Sequence, residues 1–145
     1  MTDILARHKY PCERIVSFKE QGKLFKLHNS KGFTQVKLDG DVIPAGQGPK
    51  CCDYYLFLQG QTEIFVELKG RQVEDGLEQL LSSVARYRQR FPNGYACLVS
   101  SRVPPAASTK RQQAMMKMAK IGIKLYIKAS PAEYEYKSDG TIKAK

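Results

Sequence analysis

Asp53, Glu67 and Lys69 are the residues of this 145-residue chain whose types and spacing could do chemistry together. Glu67-Leu68-Lys69 closes the run from Thr62 to Lys69, in which Ile64, Val66 and Leu68 alternate with Glu63, Phe65 and Glu67. Successive side chains of a strand point to opposite faces, so Glu67 and Lys69 share one face and the apolar set takes the other. Upstream, Cys51 to Leu58 is a second β-rich run, joined to the first by Gln59-Gly60-Gln61. With those three residues as the loop, Leu58 lies opposite Thr62 and, counting back, Asp53 lies opposite Glu67. Paired antiparallel residues point the same way, which puts both carboxylates and the ammonium on one face. A four-residue loop without a bulge would set Asp53 across from Leu68 and separate them. Glycine at the loop centre favours the three-residue form, which commonly uses a left-handed residue.

Two carboxylates beside an ammonium suit a hard divalent cation. Mg²⁺ takes oxygen ligands, keeps several waters and contacts phosphate. Such an ion can activate water and stabilise charge on a phosphoryl oxygen. Lys69 could then orient or deprotonate that water, or neutralise the developing phosphorane.

The rest of the chain must position these groups. Phe33 to Leu38 alternates as a half-buried strand and Asp39-Gly40 follows as a turn, while Pro44 to Lys50 is too rich in Gly and Pro for regular structure. From Val73 to Arg90, Leu77, Leu80, Leu81, Val84 and Ala85 form the apolar stripe of an amphipathic helix ended by Phe91-Pro92-Asn93-Gly94. Tyr95 to Val99 reads as a strand covered on both faces. Ser108 or Thr109 caps a second helix reaching about Lys120, Ile121-Gly122 stops it, and Ile123 to Ile127 is another strand. The order β-β-β-α-β-α-β predicts an α/β domain whose sheet mixes an antiparallel hairpin with parallel crossovers. The length suits one domain over 1–145. Within residues 1–30, Glu13 to Phe18 reads equally as a short helix or a strand; residues 130–145 read as a peripheral tail or a small edge hairpin turning at Ser138-Asp139-Gly140.

Asp53 on one strand, a hairpin, Glu67-Leu68-Lys69 ending the next strand and a helix after it resemble the signature of the PD-(D/E)XK nuclease superfamily, which includes restriction endonucleases and archaeal Holliday-junction resolvases. The resemblance covers the element order from about Phe33 to Ile127, and three residues carry it. It implies a restriction-endonuclease-like fold, a mixed β-sheet flanked by helices. It implies a nuclease hydrolysing phosphodiester bonds in DNA rather than RNA, with Asp53 and Glu67 as Mg²⁺ ligands, the Leu68 carbonyl completing the site, Lys69 as the catalytic lysine and Mn²⁺ as a substitute ion. Cys52 stands where the name-giving pattern has Pro. Several members add an acidic residue on an N-terminal helix and a Gln on the helix after the lysine; Glu13 or Glu20 would fill the first place and Gln79 the second.

Charge agrees with a polyanionic partner. Lys and Arg number 24 against 14 Asp and Glu, a net +10 that divides into +4 over residues 1–50, −1 over 51–94 and +7 over 95–145. Basic flanks thus enclose the stretch holding the carboxylates. Lys50 and Arg71 flank the site in sequence, Arg86 and Arg88 stand near the first helix's end, and Lys110 and Arg111 open the second; each could meet a phosphate. A chain of this size has little room for a separate target-reading domain, so specificity would come from DNA structure, a partner protein or a homodimer. No apolar run approaches the roughly 18–20 residues of a membrane span, and Met1-Thr2-Asp3-Ile4-Leu5 lacks the basic-then-apolar order of a signal peptide, so a cytoplasmic protein is expected. Cys12, Cys51, Cys52 and Cys97 lack zinc spacing and read as core residues, as do Met115, Met116 and Met118; His8 and His28 stand isolated. The main rival function is a non-catalytic basic nucleic-acid-binding module on the same fold, and a thiol sensor using Cys51 and Cys52 is a third.

Overall fold

A computed structural model describes residues 8–44, 50–105 and 107–145. The chain is α/β, and the alternation of Ile64, Val66 and Leu68 with Glu63, Phe65 and Glu67 is answered by cores on both faces of one sheet. Strands β4 (Thr34–Lys37), β5 (Tyr54–Leu58) and β6 (Thr62–Leu68) form an antiparallel meander, with β1 (Lys9–Pro11) outside β4. Beyond β6 the sheet turns parallel: helix α1 (Val73–Tyr87) crosses to β7 (Asn93–Ser100), and helix α2 (Thr109–Lys120) to β8 (Ile123–Ala129). The strand order is β1-β4-β5-β6-β7-β8.

Both helices lie on one face. Leu77, Leu80, Val84 and Tyr87 of α1, with Ala114 and Met118 of α2, pack in one core with Tyr55, Phe57, Phe65, Ala96 and Leu98. A second sheet covers the other face, made of β2 (Ile15–Glu20), β3 (Lys23–His28), β9 (Ala132–Tyr136) and β10 (Ile142–Ala144) in the order β10-β9-β3-β2. Val16, Phe18, Phe25, Leu27 and Tyr134 face Leu56, Ile64, Val66 and Leu68 there. Every residue of β6 is buried, because the strand lies between the two cores.

The expected hairpin register is the observed one: Leu58 pairs with Thr62 and Tyr54 with Val66, around a loop whose Gly60 has φ +77°. Several expectations change. Residues 15–28 form a β-hairpin, the strand alternative, and residues 132–144 form the hairpin of β9 with the edge strand β10 rather than a peripheral tail: β9 pairs in parallel with β3, and Ala132, Tyr134 and Ile142 are fully or almost fully buried. Cys51 to Asp53 precede β5 rather than belong to it. Helix α1 stops at Tyr87, three residues early, and Asn93 and Gly94 already belong to β7. The reason for the early stop is Glu63. Its buried carboxylate accepts from Gln89 N at 2.8 Å, Phe91 N at 3.0 Å and Tyr55 Oη at 2.9 Å, which holds the helix exit extended. Met118 is buried, but Met115 and Met116 are exposed on α2. Of the expected loop at Pro44 to Lys50, residues 45–49 lie outside the described residues. No described helix is long and apolar enough to cross a membrane.

Candidate active site

Asp53 and Glu67 meet where β5 begins and β6 ends, on the helix-covered face. Asp53 N donates to Glu67 Oε1 at 3.0 Å, and Leu68 N donates to Asp53 Oδ2 at 2.8 Å. Each carboxylate is thus held by the backbone of the facing strand and lies within electrostatic reach of the other. Residues of an extended chain direct N–H and C=O to the same edge, so the Leu68 carbonyl leaves β6 on the side of Asp53. The Leu68 side chain, fully buried, packs in the opposite core.

Burial governs the electrostatics. Asp53 is 9% exposed and Glu67 1%. Loss of hydration pushes the Glu67 carboxyl up to about 9, the adjacent Asp53 charge adds to the rise, and Lys69 opposes it. Asp53 is raised to about 6, again chiefly by burial, while its bond from Leu68 N pulls the other way. Without a cation the pair therefore holds a proton near neutral pH. Lys69 is half-buried and forms no ion pair with either carboxylate among the described residues, although its charge is felt at Glu67.

Helix α1 comes down onto β6 at Gly76. A Cβ there would lie 2.8 Å from Leu98 Cδ1 and 3.5 Å from both Glu67 Cγ and Lys69 Cβ. Gly76→Ala should therefore lower stability by about 1–3 kcal/mol, the cost of overpacking, although alanine is the better helix former by about 1 kcal/mol. Urea denaturation measures it, and an unchanged or raised midpoint would show that the helix lifts freely off Glu67.

Gln79 has a different place from the one expected. Its Nε2 donates to the Cys51 carbonyl at 3.4 Å, Ser83 Oγ accepts from Cys52 N at 2.6 Å, and Ser82 Oγ donates to the Lys50 carbonyl at 2.9 Å. One face of α1 thus holds the backbone leading into Asp53, and Gln79 supports the carboxylates through it. Among the described residues the buried Gln79 Oε1 has no hydrogen-bond partner. Burial pushes the Cys51 thiol up to about 12 and raises Cys52 as well, so neither supplies the thiolate that a sensor needs.

Of the two N-terminal acids, Glu20 approaches the site. It ends β2, accepts from Tyr54 Oη at 2.6 Å, lies 3.6 Å from Lys37 Nζ and raises the proton affinity of Asp53. Glu13 lies seven residues up the chain, before β2 begins and away from the hairpin tip. Beyond Glu20, the tip residue Gln21 faces Gly70, where an added Cβ would lie 3.7 Å from Gln21 Oε1. Among the described residues no three His, Cys, Asp or Glu side chains group as metal ligands. The oxygen donors at hand are two carboxylates and a carbonyl, a set that fits a hard cation completing its shell with water and phosphate.

The basic candidates separate. Lys50, Arg71, Arg86 and Lys110 are exposed. Arg86 lies ten residues beyond Gly76, about 15 Å along the helix, on the face where Ser82 holds Lys50. Arg88 donates to the Ile121 carbonyl at 2.7 Å and Arg111 to that of Pro104 at 2.6 Å, so both tie elements of the fold together. His8 and His28 pair with Asp41 and Glu133 at 2.9 and 2.8 Å, away from the carboxylates. No protein-family model matches the chain, and no curated protein is significantly similar to it in sequence.

Proposed function

We propose that the chain is a metal-dependent nuclease of the PD-(D/E)XK type, hydrolysing phosphodiester bonds in DNA. One observation carries the reading: two buried carboxylates, Asp53 and Glu67, meet across the hairpin, each accepting from the backbone of the facing strand, with burial raising the proton affinity of both and Lys69 on the same strand end. The order β4-β5-β6-α1-β7-α2-β8, an antiparallel meander followed by two parallel crossovers, agrees with a restriction-endonuclease-like topology.

Asp53, Glu67 and the Leu68 carbonyl would hold Mg²⁺, or Mn²⁺ in its place. When bound, the ion supplies Lewis acidity and a water of lowered proton affinity. The chain's own groups do the rest. The Lys69 ammonium, half-exposed at the strand end, offers positive charge to the phosphoryl oxygen as negative charge grows there. Gln79, Ser82 and Ser83 fix the segment before Asp53, and Gly76 lets α1 close over Glu67 and exclude water. Glu20, bonded to Tyr54, adds negative charge beside Asp53 and favours a cation there.

The test is incubation with supercoiled plasmid, branched DNA, single-stranded DNA and RNA, with Mg²⁺ or with chelator. Wild type should cut DNA only with the metal, and Asp53→Ala and Lys69→Ala should each slow cutting on the order of 10²–10³-fold, the loss typical of a group that stabilises transition-state charge. Metal-independent cutting, or none on any substrate while DNA binding persists, would overturn the reading; the second outcome would leave the basic binding module.

A further inference from the structure

The polar groove at the end of the sheet where β6 and β7 finish has a volume of about 1140 Å³. Its walls are the turns leaving those strands, residues 70–75 at the head of α1 and 101–105 before α2, with Ser108 closing it. The carboxyl ends of parallel strands are where open α/β sheets receive ligands, because the backbone diverges there. Gly70 directly follows Lys69, so the groove begins one residue from the carboxylate site and lies on its β7 side.

Arg71 and Arg102 line this groove, and both are exposed. Among the described residues neither guanidinium has an ion pair or hydrogen bond, in contrast to Arg88 and Arg111. Glu74 and Asp75 stand on the α1 wall and oppose an anion there. The α2 wall has no acid in its first turn, and Lys110 follows Ser108 closely. Arg71 and Arg102 balance Glu74 and Asp75 along the groove itself, so its charge is divided by wall rather than positive throughout. Two unpaired guanidinium forks, one on each of the turns that wall the groove, offer a chain of phosphates two separate contacts.

We propose that this groove seats the phosphate backbone of the nucleic-acid strand to one side of the bond that is cut, with Arg71 and Arg102 each holding a phosphate. The assignment rests on the phosphodiester reading for its substrate, but it concerns binding and holds without metal.

The experiment is fluorescence anisotropy with a short labelled single-stranded oligonucleotide, in chelator, across a salt series. Each phosphate contact on a single strand contributes about 0.7 to the slope of log affinity against log salt, so Arg71→Ala with Arg102→Ala should reduce that slope by about 1.4 and weaken binding about 10-fold at low salt. Glu74→Gln should tighten binding, while Arg14→Ala, at the opposite end of β2, should change neither quantity. An unchanged slope in the double variant, an equal loss in Arg14→Ala, or no binding by wild type would overturn the proposal. Binding that depends on both arginines without any Mg²⁺-dependent cutting keeps the groove and removes the nuclease reading; cutting with an unchanged slope does the reverse.

Discussion

Glu67→Gln leaves the metal-free protein about as stable as wild type at pH 7 yet slows DNA cleavage on the order of 10²–10³-fold. The expectation follows from the protonation state of the pair. Glu67, raised to about 9, is a neutral carboxyl at pH 7, accepting from Asp53 N and lying beside the Asp53 carboxylate. An amide of the same shape keeps the acceptor and replaces the carboxyl O–H with an N–H. The bond from Asp53 N is kept and an N–H faces the Asp53 carboxylate, so the amide avoids most of the cost of an unpaired polar group in a core. What the amide cannot do is lose a proton and become a charged ligand. Thermal melts in chelator and plasmid cleavage in Mg²⁺ measure the two halves on one preparation. A variant that unfolds at room temperature would contradict the neutral Glu67 carboxyl, and one that cuts at the wild-type rate would contradict the ligand role.

In chelator, the wild-type protein should be more stable at pH 5 than at pH 7 and should weaken steadily as the pH rises to 9. The sign follows from the folded-state shifts. Glu67 goes from 4.5 to about 9 and Asp53 from 3.8 to about 6, both upward and both chiefly through burial. Between the unfolded and folded values the native state holds a proton that the unfolded chain has lost. Stability then falls with pH, at up to about 1.4 kcal/mol per pH unit for each titrating group. Near pH 5 both groups contribute; above pH 6 the fall is mostly that of Glu67. With roughly 3 °C per kcal/mol for a chain of this size, melting temperatures at pH 5, 7 and 8.5 separate readily. Glu67→Gln should flatten the slope above pH 6, and Mg²⁺ at pH 8.5 should restore stability by binding only the folded state. The surface acids Glu133, Glu135 and Asp139 are shifted down by their partners, so their effect is confined to acid pH below this window. A melting temperature that is flat or rises from pH 5 to 8.5 would contradict the buried pair.

The carboxylate pair was legible in the sequence because two local signals agreed. Strict alternation from Thr62 to Lys69 and a glycine in a three-residue loop leave one register, and a register fixes which side chains share a face. The hairpin at residues 15–28 had a signal of the same kind, Val16 and Phe18 against Phe25 and Leu27 about Gln21-Gly22, both left-handed in the structure. It stayed open as helix or strand because residues 13–18, read alone, end before that turn. The partnership of β9 with β3 joins residues more than a hundred apart, and no local pattern encodes it. The same holds for Arg88, whose partner is a backbone carbonyl at the end of the other helix, whereas Arg111 bonds the Pro104 carbonyl in the segment leading into its own helix. Glu63 reads as one more polar residue in an alternating strand, and only the fold reveals that it holds the helix exit. For the extra carboxylate, residue type offered Glu13 and Glu20 on an expected N-terminal helix; the structure has a strand there instead, with Glu20 at its end beside Tyr54.

The pairing of β3 with β9 also sets an order of events during synthesis. The hairpin that carries Glu20 and Gln21 past the edge of the carboxylate site is made early, but its inner neighbour β9 comes about a hundred residues later. At a translation rate of roughly 5–20 residues per second, the ribosome needs on the order of 5–20 s to cover that gap. Until β9 emerges, β3 has an open edge, and the wall it builds beside Asp53 lacks its support. A nascent chain would carry all the proposed metal ligands by Leu68 and still lack the strand that supports the Glu20 hairpin until residues 132–144 have been made.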